Sequence, residues 1–461
     1  METVLIAIFV LGYLAITLEH NLKIDKLIPA LAMMAVLWAL MAFGIDGFTT
    51  WFDSGKHALM ENFGLLEHEE KMHLLEETLL HHLGKTSEIL VFLLGAMTIV
   101  EIIDYFDGFA TIKTFIKTRS KKKILWIFAF LAFILSAIID NLTATIVLIS
   151  ILQKIVNDRN SRLWYAGLIV IAANAGGAWS PIGDVTTTML WIGNKVSTVK
   201  LISYLLLPSL ICMLVPTFIA SFLEPFKGEI EVEEAAPSKS KFGAKMLYLG
   251  LGAIVFVPIF KTITHLPPYV GMMLSLAVVA TFAEIYSQTK ISISSVNHES
   301  DEGSHHSPVH RALTKIELPS ILFFLGILMA VAALESLGLL FNFAEGLKQN
   351  IGLIGTELDG TEVSDLVVII LGFGSAVIDN VPLVAASLGM FSEPLDNPLW
   401  HFIAYSAGTG GSMLIIGSAA GVVAMGMEKI DFFWYLKKIA WLALLGFVAG
   451  AIGFIVMRIF L

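Results

Sequence analysis

The sequence predicts an all-α polytopic membrane protein of two inverted repeats. Each repeat has five transmembrane helices plus one re-entrant hairpin, with interrupted helices at the candidate site. Three observations predict this class. Only 15 % of the 461 residues are charged and 56 % are hydrophobic, whereas soluble domains carry roughly 25 % charged residues. Basic residues segregate to one side of the apolar runs, and three motifs recur in the same order in both halves.

Charge and cysteine content exclude other classes. The formal net charge is −10, and the chain lacks the basic footprint that nucleic-acid binding requires. The single cysteine, Cys212, cannot close an internal disulfide, so a disulfide-stapled secreted scaffold is excluded.

Apolar runs mark the membrane spans, since a spanning helix needs about 20 mostly apolar residues. No cleavage site follows the first run, so we interpret it as a retained helix. The continuous runs are 3–18, 27–44, 88–104, 201–223, 246–260, 268–286, 317–336 and 433–457.

Four further apolar stretches are interrupted. Stretches 124–156 and 363–392 each carry an Asp-Asn pair near the middle, and we expect re-entrant hairpins whose two arms are too short to span. Stretches 163–193 and 399–427 are broken by Gly, Pro and polar residues, which predicts helices unwound within the membrane. Non-helical backbone is tolerated there only when it is buried in protein or lines a wet cavity.

The distribution of basic residues orients these ten spans and two hairpins. Of the 29 Lys and Arg residues, 21 fall on one side and 8 on the other. By the positive-inside rule the first side is cytoplasmic, which places both termini outside.

The two halves resemble each other in sequence. Residues 93–95 match 324–326, 136–141 match 375–380, and 175–184 match 409–418. Each half holds an odd number of spans, so the second half enters the membrane inverted. The predicted organisation is a first repeat 1–223, a cytoplasmic linker 224–244 and a second repeat 245–461. Inverted repeats with interrupted helices are typical of secondary transporters, whose site lies near the midplane.

Three carboxylates lie deepest in this topology: Asp140 and Asp379 at the hairpin tips, and Asp184 in an interrupted helix. Ionisable residues inside the membrane are costly and therefore candidates for function. Oxygen donors that suit hard cations surround them, and no deep Lys or Arg is expected nearby. These neighbours are Asn141, Thr143, Asn174, Ser180, Thr186, Thr187, Thr188, Asn380, Ser412 and Ser418.

Structural alternatives remain for these residues. Each Asp-Asn pair is also what a helix cap contains, although two pairs at matching repeat positions favour function. Hydroxyls in membrane helices often bond to backbone carbonyls, which is the alternative for Thr188. The His- and Glu-rich segment 55–85 is predicted to be exterior, either a solvated face or a helix lying on the membrane, and we leave pH sensing by it open.

The paired motifs Ser-Ala-Ile-Ile-Asp-Asn-Leu-Thr and Ser-Ala-Val-Ile-Asp-Asn-Val-Pro, together with Asn-Ala-Gly-Gly-Ala-Trp-Ser-Pro-Ile-Gly-Asp-Val-Thr-Thr, resemble the NhaD-type Na⁺/H⁺ antiporters of the ion transporter superfamily. The resemblance implies exchange of Na⁺ and Li⁺ for H⁺ without a cofactor, by a homodimer in the bacterial inner membrane or a plastid. It also implies a scaffold and a transport domain. The functional positions it carries over are Asp140, Asn141, Asn174, Asp184, Thr186, Thr187, Asp379, Asn380, Ser412 and Ser418.

The sequence features also bear on two other functions. A Na⁺-coupled organic-anion symporter or metalloid exporter of the same superfamily would favour basic or Ser-Asn-Thr hairpin tips, and here Asp precedes Asn. An intramembrane protease would need a zinc site or a Ser/His dyad within the spans, and the histidines lack zinc spacing. The sequence therefore predicts a transporter and not an enzyme.

Overall fold

The computed structural model describes residues 1–460 apart from 18, 54–57, 61, 114, 115, 117, 231–241, 295–306, 353–362 and 378. Most of the predicted linker 224–244 falls outside the described residues. Almost all described secondary structure is α-helical, as the sequence predicts.

The first half contains ten helices of 4 to 38 residues in its described part. They are α1 (Glu2–Thr17), α2 (Glu19–Leu22), α3 (Leu27–Phe43), α4 (His68–Tyr105), α5 (Ala110–Lys113), α6 (Lys121–Ile139), α7 (Asn141–Gln153), α8 (Arg159–Ala178), α9 (Val185–Ile192) and α10 (Thr198–Ala220). Two short strands, β1 (Phe52–Asp53) and β2 (Ala58–Leu59), pair antiparallel between α3 and α4. Single 3₁₀ turns occupy Ile45–Gly47, Phe63–Leu65 and Glu224–Phe226.

The second half follows a similar order. Its helices are α11 (Gly243–Thr264), α12 (Pro268–Ser294), α13 (Pro308–Leu313), α14 (Leu318–Ser336), α15 (Leu339–Asn350), α16 (Asp365–Val377), α17 (Asn380–Met390), α18 (Pro398–Gly410), α19 (Ala419–Glu428), α20 (Phe432–Lys438) and α21 (Ala440–Arg458).

Seven of the described helices are long and apolar enough to cross a membrane: α4, α6, α10, α11, α12, α14 and α21. Shorter apolar helices include α1, α3, both helices of stretch 363–392, and α7 and α19. This pattern supports a polytopic integral membrane protein. Both interrupted stretches are broken as predicted, α8 from α9 by residues 179–184 and α18 from α19 by residues 411–418.

Two details of the sequence prediction are wrong, and one helix is longer than the span predicted within it. The first arm of stretch 124–156 is not short, because α6 has 19 residues and can span on length and composition. The predicted single span 433–457 is two helices that meet at Ile439, a buried residue that packs against Gly167. The span predicted at 88–104 is the C-terminal part of the 38-residue helix α4.

Most of the His- and Glu-rich segment 55–85 belongs to the long helix α4. At 1.5 Å per residue α4 is about 57 Å long, nearly twice the roughly 30 Å hydrocarbon core. Residues 68–85 therefore belong to the same helix as the predicted span 88–104, and they do not form a separate helix. Trp51 stacks on Phe63, and the ammonium of Lys71 lies over the same Phe63 ring, so this half of α4 packs against the α3–α4 connection.

The core lies around α8 and α18, whose apolar residues are buried along most of both helices. Helix α6 packs on α8, and α16 packs on α18 in the same manner. Gly176 permits the first contact, since a Cβ there would lie 2.2 Å from the carbonyl oxygen of Phe133. Gly410 permits the second, with the same 2.2 Å distance to the carbonyl oxygen of Gly372. The two interrupted helices thus lie side by side, each with a flanking helix pressed against it.

A buried ion pair fixes α16 to the last helix. Arg458 donates from Nη1 and Nη2 to the two carboxylate oxygens of Asp365 at 2.8 and 2.7 Å, and both side chains are under 10 % exposed. We expect Arg458→Met to lower the free energy of unfolding by about 3–5 kcal/mol, because it leaves a buried carboxylate without its partner. The thermal midpoint of the detergent-solubilised protein measures this loss.

The exposed pair of Lys227 and Glu224 provides the control. Lys227→Met should change stability by less than about 1 kcal/mol, since exposed pairs contribute little. Equal midpoints for the two variants would contradict the assigned role of the buried pair.

Candidate cation and proton site

The first predicted hairpin tip is a sharp junction between α6 and α7 at Asp140. Its φ of +82° and ψ of 158° lie in a region that residues other than glycine rarely adopt. The carboxylate caps α7: Oδ1 accepts from the amide N–H of Thr143 and Oδ2 accepts from the Thr143 hydroxyl, both at 2.8 Å. Asp140 and Thr143 therefore form one local unit at the start of α7.

Asp184 joins the two predicted tips. It caps the start of α9, accepting at Oδ1 from the amide N–H of Thr186 at 3.3 Å. Its Oδ2 accepts from the side-chain amides of Asn141 at 3.1 Å and Asn380 at 3.0 Å. Asn141 opens α7 and Asn380 opens α17, so one carboxylate oxygen connects residues 239 positions apart in sequence. Asp184 is 2 % exposed.

The hydrogen-bonded chain continues into the second interrupted helix. Asn141 also donates to Oδ1 of Asn174 at 3.0 Å, and Asn174 donates to the Ser418 hydroxyl at 2.9 Å. Ser418 in turn accepts from the amide N–H of Gly421 and so caps α19. Asn380, Asp184, Asn141, Asn174 and Ser418 thus form a continuous buried chain, which we call the polar network.

Other predicted donors lie close by but point elsewhere. Thr187 donates to the carbonyl oxygen of Asp184 at 2.9 Å, and Ser412 donates to that of Thr409 at 2.7 Å. Thr188 donates to the carbonyl oxygen of Pro181 at 3.0 Å. Their hydroxyls therefore stabilise the interrupted backbone. The hydroxyl of Thr186 is buried at the start of α9, next to Asp184.

Asp379 has a different environment from Asp140. Its Oδ2 lies 3.3 Å from Nζ of Lys26, the residue immediately before α3. The prediction that no Lys or Arg reaches the deep carboxylates is therefore wrong. In the sequence Lys26 groups with the loop charges because it flanks a span, and no local signal indicates that its side chain turns toward Asp379, 353 positions away.

Two cavities are lined by the candidate carboxylates, and a third is lined by other charged residues. A cavity of about 960 Å³ is lined by Asp379, Lys26, Lys23 and Lys429, among others. A small space of about 20 Å³ is lined by both Asp140 and Asp184. Such a volume suits one water-sized occupant. A third cavity, of about 380 Å³, is lined by charged residues that include Glu88, Lys195 and Glu335.

Comparison with known proteins agrees with these features. A family model described as a citrate transporter matches residues 13–400. Sodium/proton antiporter 1 of Arabidopsis thaliana is 40 % identical over 98 % of this chain and 72 % of its own length. Sodium/proton antiporter 2 of the same plant is 37 % identical over 98 % and 99 % of the two chains.

A bacterial relative extends the likeness. The Na⁺/H⁺ antiporter NhaD of Vibrio cholerae is 31 % identical over 96 % of this chain and 89 % of its own. These relatives are named as Na⁺/H⁺ antiporters, and their likeness covers the segments that carry the carboxylates. The chain is therefore a transporter that belongs to the NhaD-type antiporter family of the ion transporter superfamily.

Proposed function

We propose that this chain exchanges Na⁺ for H⁺ by alternating access at a mid-membrane carboxylate site. The observation that carries the proposal is the meeting of Asp184 with both hairpin-tip asparagines, beside a one-ion space shared with Asp140. Carboxylate, amide and hydroxyl oxygens suit a small hard cation. A carboxylate that holds either a cation or a proton makes the two compete, which is sufficient for exchange.

In this proposal the residues take distinct roles. Asp140 and Asp379 are the exchanging carboxylates, and Asp184 is a cation ligand or proton carrier. Oxygens of Asn141, Thr143, Asn174, Thr186, Thr187, Asn380, Ser412 and Ser418 complete or support the cation shell. The small space lined by Asp140 and Asp184, with Thr186 buried beside Asp184, supports the roles of these two carboxylates.

We further propose that the chain consists of the two inverted repeats 1–223 and 245–461. Matching contacts support this. Ser136 donates to the carbonyl oxygen of Ala173 at 2.6 Å, and Ser375 donates to that of Ala407 at 2.7 Å. Asp184 and Ser418 begin their helices with nearly the same backbone angles, φ −148° and −150° with ψ 150° and 153°.

Alternating access requires entry from both sides. The large cavity at Asp379 is lined by lysines of the predicted cytoplasmic loops, and the cavity at Glu335 includes Lys85 and Lys195 of the predicted exterior side. Transport of Li⁺ alongside Na⁺, a homodimer within membrane lipid, and location in a bacterial inner membrane with both termini outside belong to the same proposal.

The test is dissipation of an imposed pH gradient in proteoliposomes on addition of Na⁺, and separately of Li⁺. Asp140→Asn should lower the Na⁺-dependent rate by at least about tenfold, the size of one lost charged contact. Clamping the membrane potential then separates electroneutral from electrogenic exchange. Wild-type rates in Asp140→Asn would remove Asp140 from the mechanism, and absence of a Na⁺ response in the wild type would remove the function.

One observation favours a second candidate, Na⁺-coupled transport of an organic anion. The structure places the basic side chain of Lys26 at the second hairpin tip, where an anion carrier would need positive charge. Asp379 neutralises that charge, which makes this candidate the weaker one. Uptake of labelled citrate or succinate that depends on Na⁺ would establish it.

A further inference from the structure

The two hairpin-tip carboxylates differ because of one residue. Three positions after Asp140, Thr143 supplies both an amide N–H and a hydroxyl, and these occupy the two carboxylate oxygens. Three positions after Asp379 stands Pro382, which has neither group. The side chain of Asp379 makes no capping hydrogen bond to α17. The carboxylate of Asp379 therefore lacks the local donors that hold Asp140.

Lys26 supplies the missing positive partner from outside the hairpin. Its backbone is fixed at the start of α3, and its ammonium lies 4.5 Å from the centre of the Phe323 ring in α14. Helices α3 and α14 are tightly joined, with Gly326 against the backbone of Ala30 and Trp38 donating to the carbonyl oxygen of Met329. The ammonium thus projects from a separate helix pair onto the hairpin tip.

The ion pair remains accessible from the large cavity. Lys26 and Asp379 both line that cavity, and their side chains are 22 % and 14 % exposed. The buried pair of Arg458 and Asp365 is by contrast doubly hydrogen-bonded and closed off. The Lys26 ammonium makes a single contact with the Asp379 carboxylate at 3.3 Å and faces a cavity, so an incoming cation can take its place.

We propose that Lys26 is the resident counter-ion of Asp379, and that a cation entering from the large cavity must displace its ammonium. This inference rests on the proposed Na⁺/H⁺ exchange and assigns a further residue to it. The ammonium and Na⁺ carry the same charge, so Asp379 is neutralised in both states. The apparent affinity for Na⁺ is then set by competition with Lys26, and removal of the ammonium makes binding tighter.

The experiment measures the half-saturating Na⁺ concentration in everted membrane vesicles, whose cytoplasmic face is outside. Lys26→Met keeps the packing on Phe323 but removes the charge, and it should lower that concentration by about fivefold, the strength of a partly exposed ion pair. Lys26→Arg should stay within about twofold of the wild type because it keeps the charge. Lys23→Met is the matched control, since Lys23 lines the same cavity, and it should change nothing.

A chemically modified variant tests whether loss of the charge, and not a change in folding, causes the effect of Lys26→Met. Lys26→Cys is assayed before and after reaction with 2-aminoethyl methanethiosulfonate, which restores an ammonium on the same folded protein. Cys212 is 1 % exposed, so the reagent should not reach it, and the treated wild type serves as the control. Treatment should raise the half-saturating concentration back toward the wild-type value.

The outcomes distinguish the role of Lys26 from the proposed Na⁺/H⁺ exchange. An unchanged or higher half-saturating concentration in Lys26→Met, or an equal fall in Lys23→Met, overturns the role of Lys26 while Na⁺-dependent exchange by the wild type stands. A wild type that shows no response to Na⁺ overturns the proposed function, and the role of Lys26 falls with it.

Discussion

Asp184→Asn is expected to abolish Na⁺/H⁺ exchange in a protein that still folds. The carboxylate accepts from the side-chain amides of Asn141 and Asn380 and from the amide N–H of Thr186. Hydrogen bonds to a charged group contribute about 1.5–3 kcal/mol each, so two weakened contacts correspond to a loss of about 100-fold or more. The substitution is isosteric, and its amide oxygen at the position of Oδ2 still accepts from both side-chain amides, so the α6–α7 and α16–α17 junctions stay in place.

The measurement is the Na⁺-dependent rate of ΔpH dissipation in proteoliposomes, with the thermal midpoint recorded beside it. Asp158→Asn is the matched control, because Asp158 also caps a helix, accepting from the amide N–H groups of Asn160 and Ser161 at the start of α8. It should cost about 1 kcal/mol of stability and leave the rate unchanged. Equal rate losses in the two variants would mean that capping, and not the site, explains the effect.

The position of Asp184 is the part of the site that sequence reasoning predicts best. Glycines, a proline and polar residues interrupt an apolar run at 163–193, and the structure breaks the helix there, between α8 and α9. The Asp-Asn pairs likewise predict the α6–α7 and α16–α17 junctions. These features can be predicted because they are local. A polar residue within an apolar run marks a position inside the membrane, and a glycine marks a position where another backbone packs closely. Sequence reasoning predicts which polar residues gather at the site, but not which of them hydrogen-bond to one another.

What sequence reasoning misses depends on long-range geometry. Lys26 looks like an ordinary loop charge, and only the packing of α3 against α14 directs its ammonium to Asp379. The equivalence of the two Asp-Asn pairs also hides the difference between Thr143 and Pro382, which decides whether each carboxylate is capped. The length of α4 is concealed because its polar half lacks the apolar pattern that marks a span.

Alanine at Gly176 is expected to destabilise the packing of α6 against α8. A Cβ there would lie 2.2 Å from the carbonyl oxygen of Phe133, and that atom is backbone and cannot rotate away. Helix α6 must then move from α8, which costs about 3 kcal/mol in overpacking and shifts Asp140 and Asn141 from Asp184. Gly410→Ala should do the same to the second hairpin, through the carbonyl oxygen of Gly372.

Gly252 supplies the control, because it lies inside α11 with nothing within 4 Å of a Cβ. Gly252→Ala should gain about 0.4–1 kcal/mol from the lower entropy of the unfolded chain. Thermal midpoints and exchange rates of the three variants are compared in the same detergent and liposomes. Similar losses from Gly176→Ala and Gly410→Ala are what two equivalent halves require. A loss confined to one of them would mean that only one of the two junctions shapes the site, which would count against the inverted-repeat proposal.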